Sequence, residues 1–566
     1  MSKILVIDRN AAQGAEKSVA DRVVDRLGET AAFEVRKGAE PCVDEDTEVL
    51  VYFPKVVGKE RVPDLGEAVS LLETCSTSPL RHVLIVSSAA VYGARPQNPG
   101  FIAESRPSSQ NGKNWYGAIN SIAKQWMALE ALAQEHLEDR QSVELAILRP
   151  TTVLQVGGRD YFSRLFSGRV AFTLVGHDPT LQLLHPDDLM EAVSRTVEQE
   201  SGGIYNVAPS SVIPLRAALR RARVRRFPLG YGLQRLGRAL LAPLGLTHRL
   251  DQLEYVRYSW TVANEKGRLA WDFEPGRSSS AALGDFLDGL GGTKSEAPTE
   301  EKAFDAYGMD RGYVAAYGRT LLKFLHHVYW RIETKGLEHV PLQGRAVLAG
   351  VHRGFMPLDA VMTFNLVVQQ LERYVRFLIH PTLIKFPFQA NFITKLGGVI
   401  ACQENADRVL QDDQLLGFYP EGIQGAFTLY RRAYGLSKFG RNEFVKTALR
   451  NRAPIVPFVT VGSPEIFPII ARIHWPWWKR LTQWPFFPIA PPFPLLPIPL
   501  PSKWHIQFLE PMHVEDQYGP EAADDEAIVR EISRDVRDRM QAALEAMLES
   551  RRSIFYGSVF EESQRC

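Results

Sequence analysis

The chain has 566 residues, more than one hydrophobic core usually serves, so two or three domains are expected. Hydrophobic residues make up 45% and charged residues 23%, the balance of a folded protein, which excludes wholesale disorder and fibrous repeats. Lysine and arginine number 66 against 65 acidic residues, so the overall charge argues for no nucleic-acid partner.

Cys42, Cys75, Cys402 and Cys566 have neither metal-ligand nor disulfide-framework spacing, which predicts a reducing, cytoplasmic setting and no metal site. The opening MSKILVIDRN reads as a buried strand rather than a secretion signal. No stretch reaches the roughly 18 to 20 uninterrupted apolar residues of a spanning helix. Contact with a membrane is therefore expected to be peripheral, at its inner face.

In the first half, KILVI, a helix from Gln13 to Leu27, and the runs EVLVYF, HVLIVSS and LAILRP alternate in the βαβ rhythm of a parallel sheet. VLIVSSAAVYG at 83–93 is a strand ending in a small-residue turn, followed by WYGAINSIAK at 115–124. LRPTTVL at 148–154, LLHPDDLMEAV at 183–193, GGIYNVAP at 202–209 and KGRLAWDFEP at 266–275 continue the series. Together they resemble the extended short-chain dehydrogenase/reductase family, which includes the NAD-dependent epimerases and dehydratases. That resemblance implies a Rossmann-like, doubly wound parallel sheet over 1–290, with Gly14, Ser88 and Tyr116 at cofactor positions.

Two departures bear on that cofactor. The family needs a glycine-rich turn against a dinucleotide pyrophosphate, whereas IDRNAAQGAEK offers only Gly14. The lysine due four residues after Tyr116 is Asn120, and Lys124 stands two helical turns along. The expectation is a degenerate domain acting as scaffold, dimer surface or sensor of a small ligand. Binding of NAD(P) in an altered form is the alternative.

The arginine-rich run from Arg216 to Arg238 reads either as a solvated face or as a lipid-attracting one. Around Gly289 to Glu301 the sequence turns glycine-rich and acidic, which places a linker at 291–312. The stretch GRTLLKFLHHVYWRIETKG follows, apolar on one side with cations at its margins. It reads as a helix packed on the core, and the resemblance carried by the blocks that follow implies that it also leans on the bilayer, with His326 and His327 near that interface rather than in catalysis.

A second α/β rhythm then runs through AVLAGV, LLGFYPEG and APIVPFVTVG, making 313–566 the second domain. VLAGV opens into HRGFMPLD. A histidine at a strand end and an aspartate at a helix start suit a general base and the carboxylate that orients it. FYPEG puts a carboxylate and a glycine at another strand end, where ligands of α/β sheets gather. With GGVIACQENADRVL at 397–410 and YGLSKFGRNEFVKTALRNRAPIVPFVTVGSPE, these blocks resemble the glycerolipid acyltransferase superfamily, which makes lysophosphatidate and related esters.

By that resemblance His352 and Asp359 are catalytic, and Tyr419, Pro420, Glu421 and Gly422 form the acceptor-binding motif. The donor is an acyl-CoA or acyl carrier protein thioester, and no metal or other cofactor is required. Six residues, Arg353 to Leu358, separate the histidine from the aspartate where the family usually has four. Gln403 stands where the family often places a phosphate-binding arginine, so an acceptor without a phosphate becomes credible, and Arg353, Arg408 or Lys438 could substitute as the anion-binding group.

Finally, WPWWKRLTQWPFFPIAPPFPLLPIPLPSKW at 475–504 is dense in Trp, Phe and Pro. So much proline is expected to exclude a helix or an inner strand, and the composition suits a loop dipping into a membrane. The whole predicts an O-acyltransferase of the 1-acylglycerol-3-phosphate acyltransferase type, peripheral on a membrane. A bifunctional enzyme with an active reductase or epimerase half, or a lipid-binding scaffold, is the alternative.

Overall fold

A computed structural model describes the chain except for residues 1, 11–16, 31, 39, 41, 59–61, 76–77, 107–119, 139, 141, 159, 231–251, 292–303, 385–387, 441, 483, 497 and 561–566. It divides into two compact units, Met1–Gly308 with Pro387–Asn391, and Met309–Phe386 with Phe392–Cys566. Both are α/β.

The first unit is built on β1 (Ser2–Asp8), β2 (Phe33–Gly38), β3 (Val49–Phe53), β4 (His82–Val86), β5 (Glu144–Pro150) and β6 (Gly203–Val207). They lie in the order β6-β5-β4-β3-β1-β2, and every pairing is parallel. The runs VLVYF and HVLIV are buried at every position, as central parallel strands covered on both faces must be. Helix α1 (Val19–Gly28) starts at a capping box between Ser18 and Asp21 and buries Val19, Ala20, Val23 and Leu27. It begins later than expected from the sequence, and Gln13 lies outside the described residues. Strand order reverses between β1 and β3, the doubly wound arrangement whose ligand crevice lies at the carboxyl ends of those two strands. Helices α2 (Leu65–Thr74) and α3 (Ser121–Leu137) belong to the same unit.

The second unit carries seven strands: β7 (Glu333–Lys335), β8 (Ala346–Gly350), β9 (Val375–Ile379), β10 (Val399–Ile400), β11 (Leu415–Phe418), β12 (Ile455–Val461) and β15 (His505–Phe508). Their order is β7-β15-β12-β8-β11-β9-β10, parallel throughout except for β12 against β15. A separate two-stranded antiparallel ribbon joins β13 (Ala471–Ile473) to β14 (Phe487–Ile489). Central strand β8 is buried along its whole length.

Three expectations are corrected here. Asp310 caps helix α4 (Arg311–Arg319), accepting from the Tyr313 amide at 2.9 Å, so the helix starts inside the expected linker. The stretch after it is not one helix. It breaks at Thr320, whose hydroxyl donates back to Ala316 O at 2.7 Å, and resumes as a short turn of helix and a π-turn through Tyr329. The proline-rich segment does contain a helix, Pro476–Thr482. Its proline sits in the first turn, where no intrahelical N–H is lost.

Candidate active site

His352 lies two residues beyond β8, and Asp359 is the second residue of helix α5 (Leu358–Leu371). The strand, the intervening turn and the helix bring the pair together. His352 Nδ1 lies 2.8 and 2.9 Å from the two carboxylate oxygens of Asp359. Asp359 also accepts from the backbone amides of Arg353 at 3.0 Å and Ala360 at 2.8 Å, and it is 1% exposed. With those donors around it the carboxylate has little rotational freedom. It selects the tautomer in which Nδ1 carries the proton, leaving Nε2 as the basic nitrogen.

The FYPEG residues crowd beneath this pair. The Tyr419 ring lies 4.9 Å from the His352 ring and stacks on Phe377 at 5.4 Å. Burial, with Asp359 nearby, pushes the Tyr419 phenol well above its usual range, so it stays neutral. Arg353, expected at the acceptor, is instead committed to Glu421. Their side chains pair at 2.6 Å and are 1% and 3% exposed. Arg353 also donates to His352 O at 2.9 Å and to the carbonyls of Ala433 and Gly435. The second Glu421 oxygen accepts from the Ser437 amide at 2.9 Å. A side chain at Gly425 would place its Cβ 2.8 Å from Glu421 Cβ and 3.2 Å from Arg353 Nη1, so only glycine permits this approach. Pro420 is buried and Gly422 exposed, at a positive φ of 57°.

Residues 433–437 were not legible as part of the site. Alongside the two Arg353 bonds, Gln541 of helix α6 (Glu526–Ser550) accepts from Leu436 N at 2.8 Å and donates to Tyr434 O at 3.3 Å. The Tyr434 hydroxyl donates to Glu465 at 2.8 Å and accepts from Gly462 N and Arg551, each at 3.0 Å. Arg551 pairs directly with Glu465 as well. This chain of contacts fastens the C-terminal helix to the turn that holds Arg353, next to His352. The sequence shows these as isolated polar residues up to 117 positions apart.

The other candidate cations stand apart from the dyad's own bonds. Arg408 is half-buried, and Lys438 and Gln403 are exposed. His326 pairs with His327 at 4.6 Å, and burial, reinforced by His327, pulls its pKa down to about 4. Phe355, three residues beyond His352, meets Phe493 at 4.8 Å, Phe467 at 5.1 Å and Trp484 at 5.6 Å. Trp504 stacks on Trp330 at 4.5 Å, both fully buried. Trp504 and Phe493 thus anchor the proline-rich segment to the core, while Trp475, Trp477, Leu495 and Ile498 of the same segment stay exposed.

In the first unit Gly14 and Tyr116 lie outside the described residues. Ser88 caps the short turn after β4 by accepting from Ala90 N at 3.1 Å. Asn120 caps α3, accepting from Ile122 N at 2.9 Å, and Lys124 is exposed. At the strand reversal the Asn10 amide donates to Pro54 O and accepts from Val56 N, each at 2.9 Å, bridging the ends of β1 and β3. Deeper in, Glu130 accepts from Ser87 at 2.6 Å and from Arg149 at 2.6 and 3.0 Å. Arg149 also reaches the Tyr92 hydroxyl at 2.7 Å, which bonds Asn206 at 2.9 Å. Burial opposes the Arg149 charge, but Glu130 outweighs it and holds the guanidinium pKa above its usual value.

Comparison with known proteins places residues 331–461 in the Acyltransferase family. An uncharacterized protein of Mycobacterium tuberculosis (strain ATCC 25618 / H37Rv) is 34% identical over 281 residues, 49% of this chain and 78% of that one. Phytyl ester synthase 2, chloroplastic, of Arabidopsis thaliana is 29% identical over 143 residues, 24% of this chain and 20% of that one. Among solved structures, UDP-glucuronic acid 4-epimerase from Bacillus cereus, in complex with UDP-glucuronic acid and NAD, aligns with a TM-score of 0.38 at 15% identity. It covers 51% of this chain and 99% of that one.

Proposed function

The chain belongs to the same family as that mycobacterial protein and holds an acyltransferase domain in its second half, and from this we propose that it moves a fatty acyl group from acyl-CoA or acyl carrier protein to a lipid hydroxyl at a membrane surface. The observation that carries the reading is the His352–Asp359 contact at 2.8 Å. Nε2 of His352 takes the proton from the acceptor hydroxyl as its oxygen attacks the thioester carbonyl. The tetrahedral intermediate then collapses, the carbon–sulfur bond breaks, and the departing thiolate takes that proton back from Nε2. Asp359 stabilises the imidazolium between these steps. A thioester is already activated, so the chain's own residues need supply only base, orientation and exclusion of water.

For the acceptor, a lysophospholipid or other glycerolipid is the first reading. A phosphate-free alcohol is favoured by one observation: Arg353, the cation beside His352, is sealed by Glu421 at 2.6 Å and has no charge to offer a phosphate. The first unit acts in docking or regulation. NAD(P) binding is disfavoured because the turn after β1 offers a single glycine, Gly14, where a pyrophosphate needs close approach to the backbone, and Asn120 stands where the catalytic lysine is due. No helix among the described residues is long and apolar enough to cross a membrane, which suits peripheral attachment at the cytoplasmic face.

The test is lipid mass spectrometry after incubating the purified full chain with acyl-CoA and a panel of lysophospholipids, monoacylglycerol and long-chain alcohols. A new ester, with free coenzyme A in equal amount, is expected. Release of coenzyme A by hydrolysis alone, with no ester from any acceptor, would overturn the reading.

A further inference from the structure

Three stretches of the second unit share an unusual composition. Residues 311–332, 470–504 and 551–556 together hold ten lysines and arginines and no aspartate or glutamate, although the whole chain carries nearly equal numbers of each sign. The same stretches expose large apolar side chains. Leu495 is 90% exposed, Tyr556 76% and Val328 59%, and Ile498, Trp477 and Phe324 are each about half exposed.

The three are laced into one surface. The Tyr329 hydroxyl donates to Pro499 O at 2.7 Å, and Trp330 Nε1 to Leu500 O at 3.3 Å. Arg331 donates to Phe555 O at 2.9 Å, and the Lys503 amide to Ile554 O at 2.8 Å. Beneath them the Trp330–Trp504 stack anchors the first two stretches to the core. The Trp475 and Trp477 end joins the Leu495 end through Trp475–Phe487 at 5.6 Å and Phe487–Phe493 at 6.0 Å. Exposed apolar groups held by a rigid, buried aromatic base are a surface awaiting an apolar partner, not a failure of packing.

We propose that this face docks the chain on an anionic lipid bilayer, its leucines, isoleucine and tyrosine entering the acyl boundary while Lys323, Lys479 and Arg480 meet the phosphates. The inference deepens the acyltransferase reading and rests on it for the substrate's location. Charge selects the occupant. Lys503 and Arg551 are neutralised by Glu333 and Glu465, but Lys323, Lys479 and Arg480 are exposed on stretches that carry no acid of their own, and they complement a negatively charged headgroup layer, in which tryptophan and cationic side chains are most stable. A protein partner would ordinarily meet mixed charge at the rim. The geometry also explains how a bilayer-held acceptor reaches the base: Phe493 and Trp484 of the docked segment pack on Phe355, three residues from His352.

The experiment is sedimentation of the purified full chain with vesicles of phosphatidylcholine alone, or with phosphatidylglycerol added. Stronger binding to the anionic vesicles is expected. Lys479→Ala with Arg480→Ala should weaken that binding about fivefold per cation, roughly 25-fold together, and leave binding to neutral vesicles unchanged. Leu495→Ser with Leu496→Ser and Ile498→Ser should weaken binding to both. All of these variants should still acylate an acceptor dispersed in detergent at the parental rate, because none of these residues belongs to the dyad or its supports. Equal binding by parent and variants, or self-association that only the leucine and isoleucine changes abolish, would overturn the proposal. Vesicle binding without ester formation from any acceptor would instead overturn the acyltransferase reading and leave the docking face standing.

Discussion

Each of the two units ends its parallel sheet in a cluster of polar side chains, but among the described residues the two clusters differ in how far their members satisfy one another. In the first unit the strand ends are closed by groups that satisfy one another. Asn10 bridges β1 and β3, and Ser87, Glu130, Arg149, Tyr92 and Asn206 form one continuous buried network. In the second unit Asp359 is equally saturated, but among the described residues the His352 ring is hydrogen-bonded only through Nδ1. A catalytic group needs one committed atom for orientation and one uncommitted atom for chemistry, and among the described residues the Glu130–Arg149 network is bound together throughout.

The sharpest way to break this contrast is to remove the reactive nitrogen. His352→Ala should lower acyl transfer by about 10³ to 10⁴, with Asp359→Asn close behind. Thermal unfolding should change little, and retention of the parental rate would mean that the two clusters are equally inert. Next come two of the buried Arg–Glu pairs, Arg353–Glu421 in the second unit and Arg149–Glu130 in the first. Glu421→Gln and Glu130→Gln should each cost about 3–5 kcal/mol in urea unfolding, because each leaves an arginine charge buried without its partner. Only Glu421→Gln should also depress acyl transfer. Equal loss of activity in both would show that the first unit shares in the chemistry.

Acid should affect both units alike. Burial draws His177 in the first unit down to about 3 and His505 in the second down to about 4. Since each folded-state pKa lies below the ordinary 6.5, the unfolded chain binds more protons, and the stability these residues contribute is complete above pH 6.5. It should be lost as pH falls from 6.5 towards 4, by at most about 3 kcal/mol for His505, read from urea midpoints across that range. A flat profile would place both imidazoles in water. A smaller effect is expected from Tyr434→Phe, which removes the hydroxyl shared by Glu465, Gly462 and Arg551. It should cost about 1–2 kcal/mol and reduce kcat severalfold with KM unchanged, while Tyr92→Phe in the first unit should alter stability alone. The smallest signal belongs to NAD(H) and NADP(H), for which calorimetry on the full chain should show no saturable binding. A saturating isotherm would mean that the turn after β1 admits a pyrophosphate despite its single glycine.

Much of this was legible in the sequence because the signals are local. All-apolar runs such as VLVYF and HVLIV announce central parallel strands, and HRGFMPLD places a histidine and a carboxylate seven residues apart across one strand–helix turn. What could not be read depends on distant pairing. Arg353 and Glu421 are 68 positions apart, so each looked available to a ligand until the fold joined them. The same holds for Gln541 and Arg551 on the 433–437 turn. Which side of the proline-rich segment faces inward was hidden for another reason: composition cannot tell one tryptophan from the next, and Trp504 is buried while Trp477 is half exposed. Proline in a first helical turn likewise looks the same in a sequence as proline in a loop.

The claim on which everything else depends is that Asp359 fixes the His352 proton on Nδ1 and leaves Nε2 as the base. Nitrogen-15 NMR of the histidine-labelled full chain, above the imidazole's titration, reports that tautomer directly. The account predicts a protonated Nδ1 and a bare Nε2, reversed or mixed in Asp359→Asn. A parental His352 protonated on Nε2 would contradict it.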